Sequence, residues 1–535
     1  MDKHNSATSN TGAPGAPLDR RDYAIILAAL VCALVLRLVF FRGVLSIDDF
    51  NYLRHAAELW KDRFSYADLL YLHGTRSLVF VPVSWLYAVF GPSQAAAVAW
   101  PLAASLATIG LVYLIGREWF GRECGAWAAA LAVFLPLMVE ESTRVLPGAI
   151  MNLIIAVSVY TFAVSERGRR RRLWLLVSGG AYGAMPLTGE LGMLYGCFFP
   201  LAVLLTGRYR FWSYWPIAAG FAAVAGSNVM YQWIVTGDPL FKAHISALIL
   251  ETEIPPVRPF YYVNILLRPF AAHGGVFYLA AAGAVAAVRT RNRPALFLTL
   301  FLVAMWILIE YISSSLTTYR PLYKYVRYAS ILSVPAVVLS GYGLGWVRRS
   351  LGGLDRRRGA WRAGTIAVVS IIAVLFLTSI VTLKKAGSWA GQRRAQLERL
   401  RGHVVAADDK PVYVTHWLWN TRVGYFMGFD DAYFPSGYDP YHALRLDDAD
   451  AGSKNRYVQT LAAGEEMPGG LLIHDETLFA AGRSGGGDYS VGAGEIPALL
   501  ASPPSAWRLI DRFEVGNNTL AVYEIPAGFR WSVEE

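Results

Sequence analysis

Two adjacent carboxylates, Asp48 and Asp49, open the stretch "SIDDFNYLRHAAELW", a few residues after a strongly apolar run ends at Phe41. Tyr52 and His55 follow at helical spacing on the same side. A carboxylate in this setting can act as general base toward an acceptor hydroxyl or amine, or help to hold a divalent cation. The competing structural role is plain: Asp48 as the N-cap of the helix.

A second group of chemically able residues is Arg320, Lys324, Tyr325, Arg327 and Tyr328, just ahead of the apolar run Ile331–Trp346. Cations at the mouth of a span suit an anionic headgroup or a lipid-linked phosphate, which arginine meets with a planar fork of donors. Simple anchoring to phospholipid headgroups is the alternative.

The elements that must position these residues belong to a membrane protein. The chain has 535 residues, of which 55% are hydrophobic and 16% charged, against about 25% charged in soluble domains. Apolar runs of spanning length, about 20 residues, recur from Tyr23 to Ile380. The expected spans are 23–41, 94–115, 124–140, 146–165, 173–187, 190–206, 211–233, 274–289, 294–311, 329–347 and 364–383. The formal charge of +10 is uneven, with −6 on residues 385–535 and +16 on residues 1–384. A basic membrane part implies arginine-rich cytoplasmic loops, not a nucleic-acid partner. Cys32, Cys124 and Cys197 show no pairing or metal spacing, so neither disulfides nor zinc are expected. Residues 1–20 have the composition of a disordered cytoplasmic tail. No small-residue cleavage site follows the first apolar run, which therefore reads as an uncleaved span.

Arginine placement orients the spans. "GREWFGRE" (116–123), "ERGRRRR" (166–172), "GRYR" (207–210), "RTRNR" (289–293) and "RRSLGGLDRRRGAWR" (348–362) join Arg20 and Arg21 on one side only if the short apolar stretch 78–90 does not cross. Eleven spans then place every cluster in the cytoplasm. The N-terminus is inside, residues 42–93 form a long outer loop with juxtamembrane helices, and the C-terminal segment is outside. The Asp48–Asp49 loop, the loop 236–273, the turn 140–147 and the loop 313–328 then share the outer face.

From residue 385 the composition becomes that of a soluble domain. "RRAQLERLRG" has a helical pattern, while "KPVYVTH", "GGLLIHD", "WRLIDRFEV" and "NTLAVYEI" are strand-like runs between Gly, Pro and Asn turns. An extracytoplasmic α/β domain over 385–535 is expected, following a mainly α transmembrane domain over 21–384. Its aromatic start, "HWLWNTRVGYFMGF", is either ordinary packing or a surface for sugar or acceptor.

Four stretches in order carry a family resemblance: "SIDDFNYLRHAAELW", "LYAVFGPSQAAAVAWPLAASLATIGLVYLIGREWFGRECGAWAAAL", "STRVLPGAIMNL" and "PLYKYVRYASILSVPAVVLSGYG". The chain resembles the GT-C superfamily of integral-membrane glycosyltransferases, and within it the branch of protein O-mannosyltransferases and lipid A aminoarabinose transferases. The resemblance implies transfer of a sugar from a polyprenyl-phosphate donor to a lipid, glycan or protein acceptor at the outer face of the inner (plasma) membrane. It puts the acceptor-activating acid at Asp48 and Asp49, which are also the ligands if a divalent cation takes part. The donor phosphate falls to Lys324, Arg327 and Arg320, with Tyr52, His55, Glu140, Glu141 and Arg144 as candidate acceptor or sugar contacts. Two positions depart from the pattern. The related enzymes often carry an acid after the proline of the third stretch, where this chain has Pro147-Gly148. They often carry a lysine after the Leu-Thr of "PLTGELG", where Gly189-Glu190 stands. Glu140 and Glu141 are the nearby acids able to substitute at the first.

Two other functions use similar parts. A transporter or flippase of a lipid-linked substrate favours internal repeats and polar residues at mid-membrane depth; the sequence shows no repeat, and its ionisable residues cluster at loop edges. A polysaccharide polymerase or ligase would share the donor but is not expected to carry a C-terminal domain of this size.

Overall fold

The computed structural model of the chain describes residues 17–64, 69, 73–167, 170–252, 260–313, 324–353, 358–407, 412–414, 422, 425–426, 466–467, 469–477, 503–515 and 518–530. It divides into two compact units. One comprises Met1–Gly43, Thr75–Leu86 and Ser93–Gly387, and the other Val44–Gly74, Tyr87–Pro92 and Ser388–Glu535.

In chain order the helices are α1 (Arg20–Val39), α2 (Ile47–Trp60), α3 (Ser77–Phe90), α4 (Gln94–Phe120), α5 (Arg122–Phe134), α6 (Pro136–Glu141), α7 (Pro147–Ser165) and α8 (Arg171–Gly183). They continue as α9 (Phe198–Thr206), α10 (Trp215–Thr236), α11 (Phe241–Thr252), α12 (Tyr261–Leu267), α13 (Val276–Thr290), α14 (Arg293–Tyr311), α15 (Ser333–Gly353) and α16 (Arg358–Ala406). A 3₁₀ segment, Val326–Leu332, leads into α15. Local chemistry sets several of these starts. Asp19 and Asp22 form a capping box on α1, Ser93 caps α4, and Asn292 caps α14 ahead of Pro294.

Six helical stretches among the described residues are long and apolar enough to cross a membrane: Arg20–Val39, Gln94–Phe120, Pro147–Ser165, Arg293–Tyr311, Val326–Leu351 and Gly364–Ala406. Ser77–Phe90, Leu194–Thr206 and Val276–Thr290 are shorter apolar helices. The expected span 124–140 is not one continuous helix. α5 ends at Phe134, and Pro136 begins α6, because a proline ring cannot continue the preceding ladder.

Inside the first unit, small residues let helix backbones meet, as they do where lipid supplies no hydrophobic drive between helices. A β-carbon on Gly179 or Gly220 would overlap a carbonyl across the α8–α10 contact. At one end of the bundle, Asp22 accepts from Arg122 Nε at 2.8 Å, Arg117 Nε at 3.1 Å and the Tyr113 hydroxyl, which ties α1 to α4 and α5. Nearer the other end of α1, the buried Arg37 donates to Ser105 Oγ (3.0 Å), Ala33 O (3.2 Å) and Val133 O (3.1 Å).

The second unit holds a four-stranded sheet in the order β1-β3-β5-β4, with β1 Val412–Val414, β3 Gly470–Asp475, β4 Arg508–Val515 and β5 Asn518–Ile525. β1 runs parallel to β3, and the other two pairings are antiparallel. Two short strands, β2 (Glu466–Met467) and β6 (Phe529–Arg530), pair beside it. All four strand-like runs expected from the sequence are strands. Asp511 on β4 accepts from His403 Nε2 at 2.6 Å and Arg399 Nε at 2.7 Å, which fastens the C-terminal part of α16 to the sheet. Tyr425 and Phe426, from the aromatic stretch, pack edge-on against Phe50 of α2, with centroids at 5.4 and 6.3 Å.

Candidate active site

In the second unit, the two acids of α2 do different jobs. The N-cap is Ser46, not Asp48. Asp49 is the third helical residue, and its Oδ2 accepts from Ser46 N (2.7 Å), Ser46 Oγ (2.8 Å) and Leu45 N (3.1 Å). This is the reciprocal acid of a capping box, and its carboxylate is fully buried. Asp48 lies outside that network. Its side chain keeps 21% exposure, and its Oδ1 sits 3.2 Å from Nε2 of His73. Tyr52, one turn along, meets the His73 ring edge-on at 4.9 Å. Asp48, Tyr52 and His73 therefore form one cluster. His55 is buried elsewhere, beside Arg54 (3.5 Å) and the Phe64 ring (6.0 Å). A carboxylate held by an imidazole is a competent proton acceptor when an acceptor group approaches it.

In the first unit, Glu140 pairs with Arg42 at 2.8 Å. Glu141 is enclosed, and burial pushes its carboxyl up to about 8 against the opposing pull of Arg144 and Arg327. Its carboxylate fills the space next to Gly148 at the start of α7. A β-carbon there would overlap Oε2 and lie 2.6 Å from Oε1. The Glu141 carboxylate therefore lies directly against the backbone of residue 148. At the other departure the surroundings are looser: a β-carbon on residue 189 would make only ordinary contacts, with Met151 Cε at 3.8 Å and Arg76 Nε at 3.9 Å.

The cations ahead of α15 are also distinguished. Lys324 Nζ is 2.5 Å from Oε1 of Glu310, with both side chains nearly enclosed. The Arg327 guanidinium rests on the rings of Tyr325 (4.7 Å) and Tyr328 (5.7 Å). Arg320 lies outside the described residues. No group of three or more His, Cys, Asp or Glu side chains is placed to hold a metal ion among the described residues. Of the two acids, Asp49 has its Oδ2 in the cap, and Asp48 has its Oδ1 beside His73.

ArnT from Cupriavidus metallidurans aligns over 94% of this chain and 98% of its own, at 14% identity and a TM-score of 0.62 in the apo state. Its complex with undecaprenyl phosphate aligns over the same shares at 13% identity and a TM-score of 0.64. The chain has the GT-C fold. The archaeal oligosaccharyltransferase AglB from Archaeoglobus fulgidus, in complex with an inhibitory peptide and a dolichol-phosphate, aligns over 76% of this chain and 64% of its own, with 14% identity and a TM-score of 0.50. In sequence, the family dolichyl-phosphate-mannose-protein mannosyltransferase matches residues 79–233, within the first half of the GT-C fold. No curated protein sequence matches the chain.

His73 and Glu310 touch the candidate residues Asp48 and Lys324 and were not singled out by sequence spacing. His73 comes from a stretch with no periodic relation to the acids. Glu310 is a lone acid at the end of an apolar run, where a solvated span end is the ordinary explanation.

Proposed function

We propose that the protein is a glycosyltransferase that moves a sugar from a polyprenyl-phosphate-linked donor to a lipid, glycan or protein acceptor. The observation that carries this reading is the division of labour on α2: Asp49 closes the helix cap, and Asp48 is left part-exposed against His73. Support comes from the GT-C fold, shared over nearly the whole length of a protein crystallised with undecaprenyl phosphate.

In the proposed reaction the acceptor oxygen or nitrogen attacks C1 of the donor sugar. Asp48 takes the acceptor proton, the C1–O bond to phosphate breaks, and polyprenyl phosphate leaves with the bonding electrons. Removal of such a base typically costs ~100- to 10,000-fold in rate. Arg327 holds the phosphate with its planar fork, aided by Arg320 of the same loop. Asp48 would be the first ligand if a divalent cation assists.

We place this chemistry at the outer face of the inner membrane, with the N-terminus cytoplasmic and residues 385–535 extracytoplasmic, from the one-sided distribution of arginine clusters. The test is mass spectrometry of envelope glycolipids and glycoproteins from a deletion strain, complemented by wild type or Asp48→Asn. A sugar lost on deletion and restored only by wild type is expected. An unchanged sugar inventory, with a lipid-linked precursor accumulating on the inner side, would instead favour a flippase.

A further inference from the structure

Three stretches of chain meet at one buried carboxylate. Glu310, at the end of α14, accepts from the backbone N–H groups of Tyr261 (3.0 Å) and Tyr262 (2.9 Å) at the start of α12. It also accepts from Lys324 Nζ at 2.5 Å, with side-chain exposures of 0% for Glu310 and 7% for Lys324. The Tyr262 hydroxyl then donates to the carbonyl of Tyr325 at 3.2 Å, which closes the ring. Tyr325 is the residue on which Arg327 rests, and it immediately precedes the 3₁₀ segment that carries Arg327.

We propose that Glu310 and Lys324 form a buried clamp that positions the Tyr325–Tyr328 turn, so that Lys324 serves the donor phosphate through Glu310 without touching it. This rests on the donor reading above and deepens it. The charge chemistry favours it. A lysine already neutralised by a carboxylate with almost no water around it has little net charge to offer a second anion. Neither member of a buried pair is tolerated alone, because the survivor is left charged and uncompensated. The same carboxylate fixes two backbone donors, so a change at position 310 or 324 is transmitted to the turn that presents Arg327. Glu310 is a positioning residue in this scheme, and Arg327 is the one that meets phosphate.

The clamp makes a prediction opposite to that of direct contact. The full chain is reconstituted in lipid nanodiscs, and undecaprenyl phosphate binding is measured together with the KM of donor and acceptor. Glu310→Gln and Lys324→Gln should each weaken undecaprenyl phosphate binding by about 10- to 100-fold. Both should raise the donor KM and leave the acceptor KM unchanged, a selectivity that a general loss of stability would not give. The double variant Glu310→Gln/Lys324→Gln should return binding to within about threefold of wild type, since two neutral amides can hydrogen-bond where a lone charge cannot. Arg327→Gln should not be recovered by Glu310→Gln. If the single variants fail to accumulate, the double variant decides alone. A double variant as weak as Lys324→Gln, or single variants that bind like wild type, would overturn the clamp. Wild-type protein that binds no undecaprenyl phosphate would sink the donor reading itself, a result distinct from normal wild-type binding with an unrecovered double variant.

Discussion

The carboxylate of Glu141 occupies the place that a side chain on residue 148 would take, and glycine at 148 is what admits it. Gly148→Ala should therefore displace Glu141 from an enclosed position and cost about 1–3 kcal/mol, the usual penalty for overpacking. Gly148→Ala/Glu141→Ala should recover most of that loss. Thermal unfolding of the purified variants in one detergent measures both. A Gly148→Ala protein as stable as wild type would mean that the carboxylate has another place to go.

Glu141 also links stability to pH. Burial raises its carboxyl from the ordinary 4.5 to about 8 in the folded protein, while Arg144 and Arg327 pull it down and Glu140 pushes it up. Between those two values the folded state holds more protons than the unfolded state. Its contribution to stability is then full below the lower value and is lost as pH rises toward the upper one. Glu141→Gln should flatten that fall. Melting temperatures of wild type and variant across pH 4.5 to 8 test the sign, and parallel curves would remove Glu141 as the cause.

The two neighbouring aspartates should separate cleanly under substitution. Asp48→Asn is expected to unfold like wild type and to lose transfer by ~100- to 10,000-fold. Asp49→Ala should lower stability by ~1–2 kcal/mol through the lost cap, with sugar transfer per folded molecule retained. His73→Ala should fall between them, slowing turnover by about 10- to 100-fold and having little further effect in the Asp48→Asn background. Full activity in Asp48→Asn would refute the assignment of the base.

The proposed membrane sidedness rests on the arginine clusters. A periplasmic reporter fused after Lys385 should be active, and one inserted at Gly168 should be silent. A cytoplasmic reporter should give the reverse pattern at both sites. Activity of the cytoplasmic reporter after Lys385 would move the C-terminal domain inside and reverse the proposed face.

Much of this was written locally in the chain. Apolar runs marked the helices, and the β-rich runs "GGLLIHD" and "NTLAVYEI" between turn residues marked two strands of the sheet. The pair Asp48–Asp49 stood out because charge is scarce beside a span. What spacing could not show was which acid would turn inward, since a capping box and a reactive carboxylate have the same composition until Ser46 is seen as the cap. The break at Pro136 was visible as a residue, yet the apolar run around it was long enough to suggest one span. His73 and Glu310 meet partners that only tertiary packing supplies: Asp48 for the first and Lys324, fourteen residues later, for the second. No periodicity connects such pairs.

The buried arginine of the first helix sets a timetable for synthesis. Arg37 bonds to Ser105, 68 residues later, and to the carbonyl of Val133, 96 residues later. At a ribosomal rate of about 5–20 residues per second, roughly 5–20 s pass before both partners exist. Through that interval α1 carries a guanidinium with only one of its three final acceptors made, the Ala33 carbonyl, two residues from the helix end where its long stem can reach the headgroups. The first helix is therefore expected to settle into its final place only when α4 and α5 arrive to receive the charge.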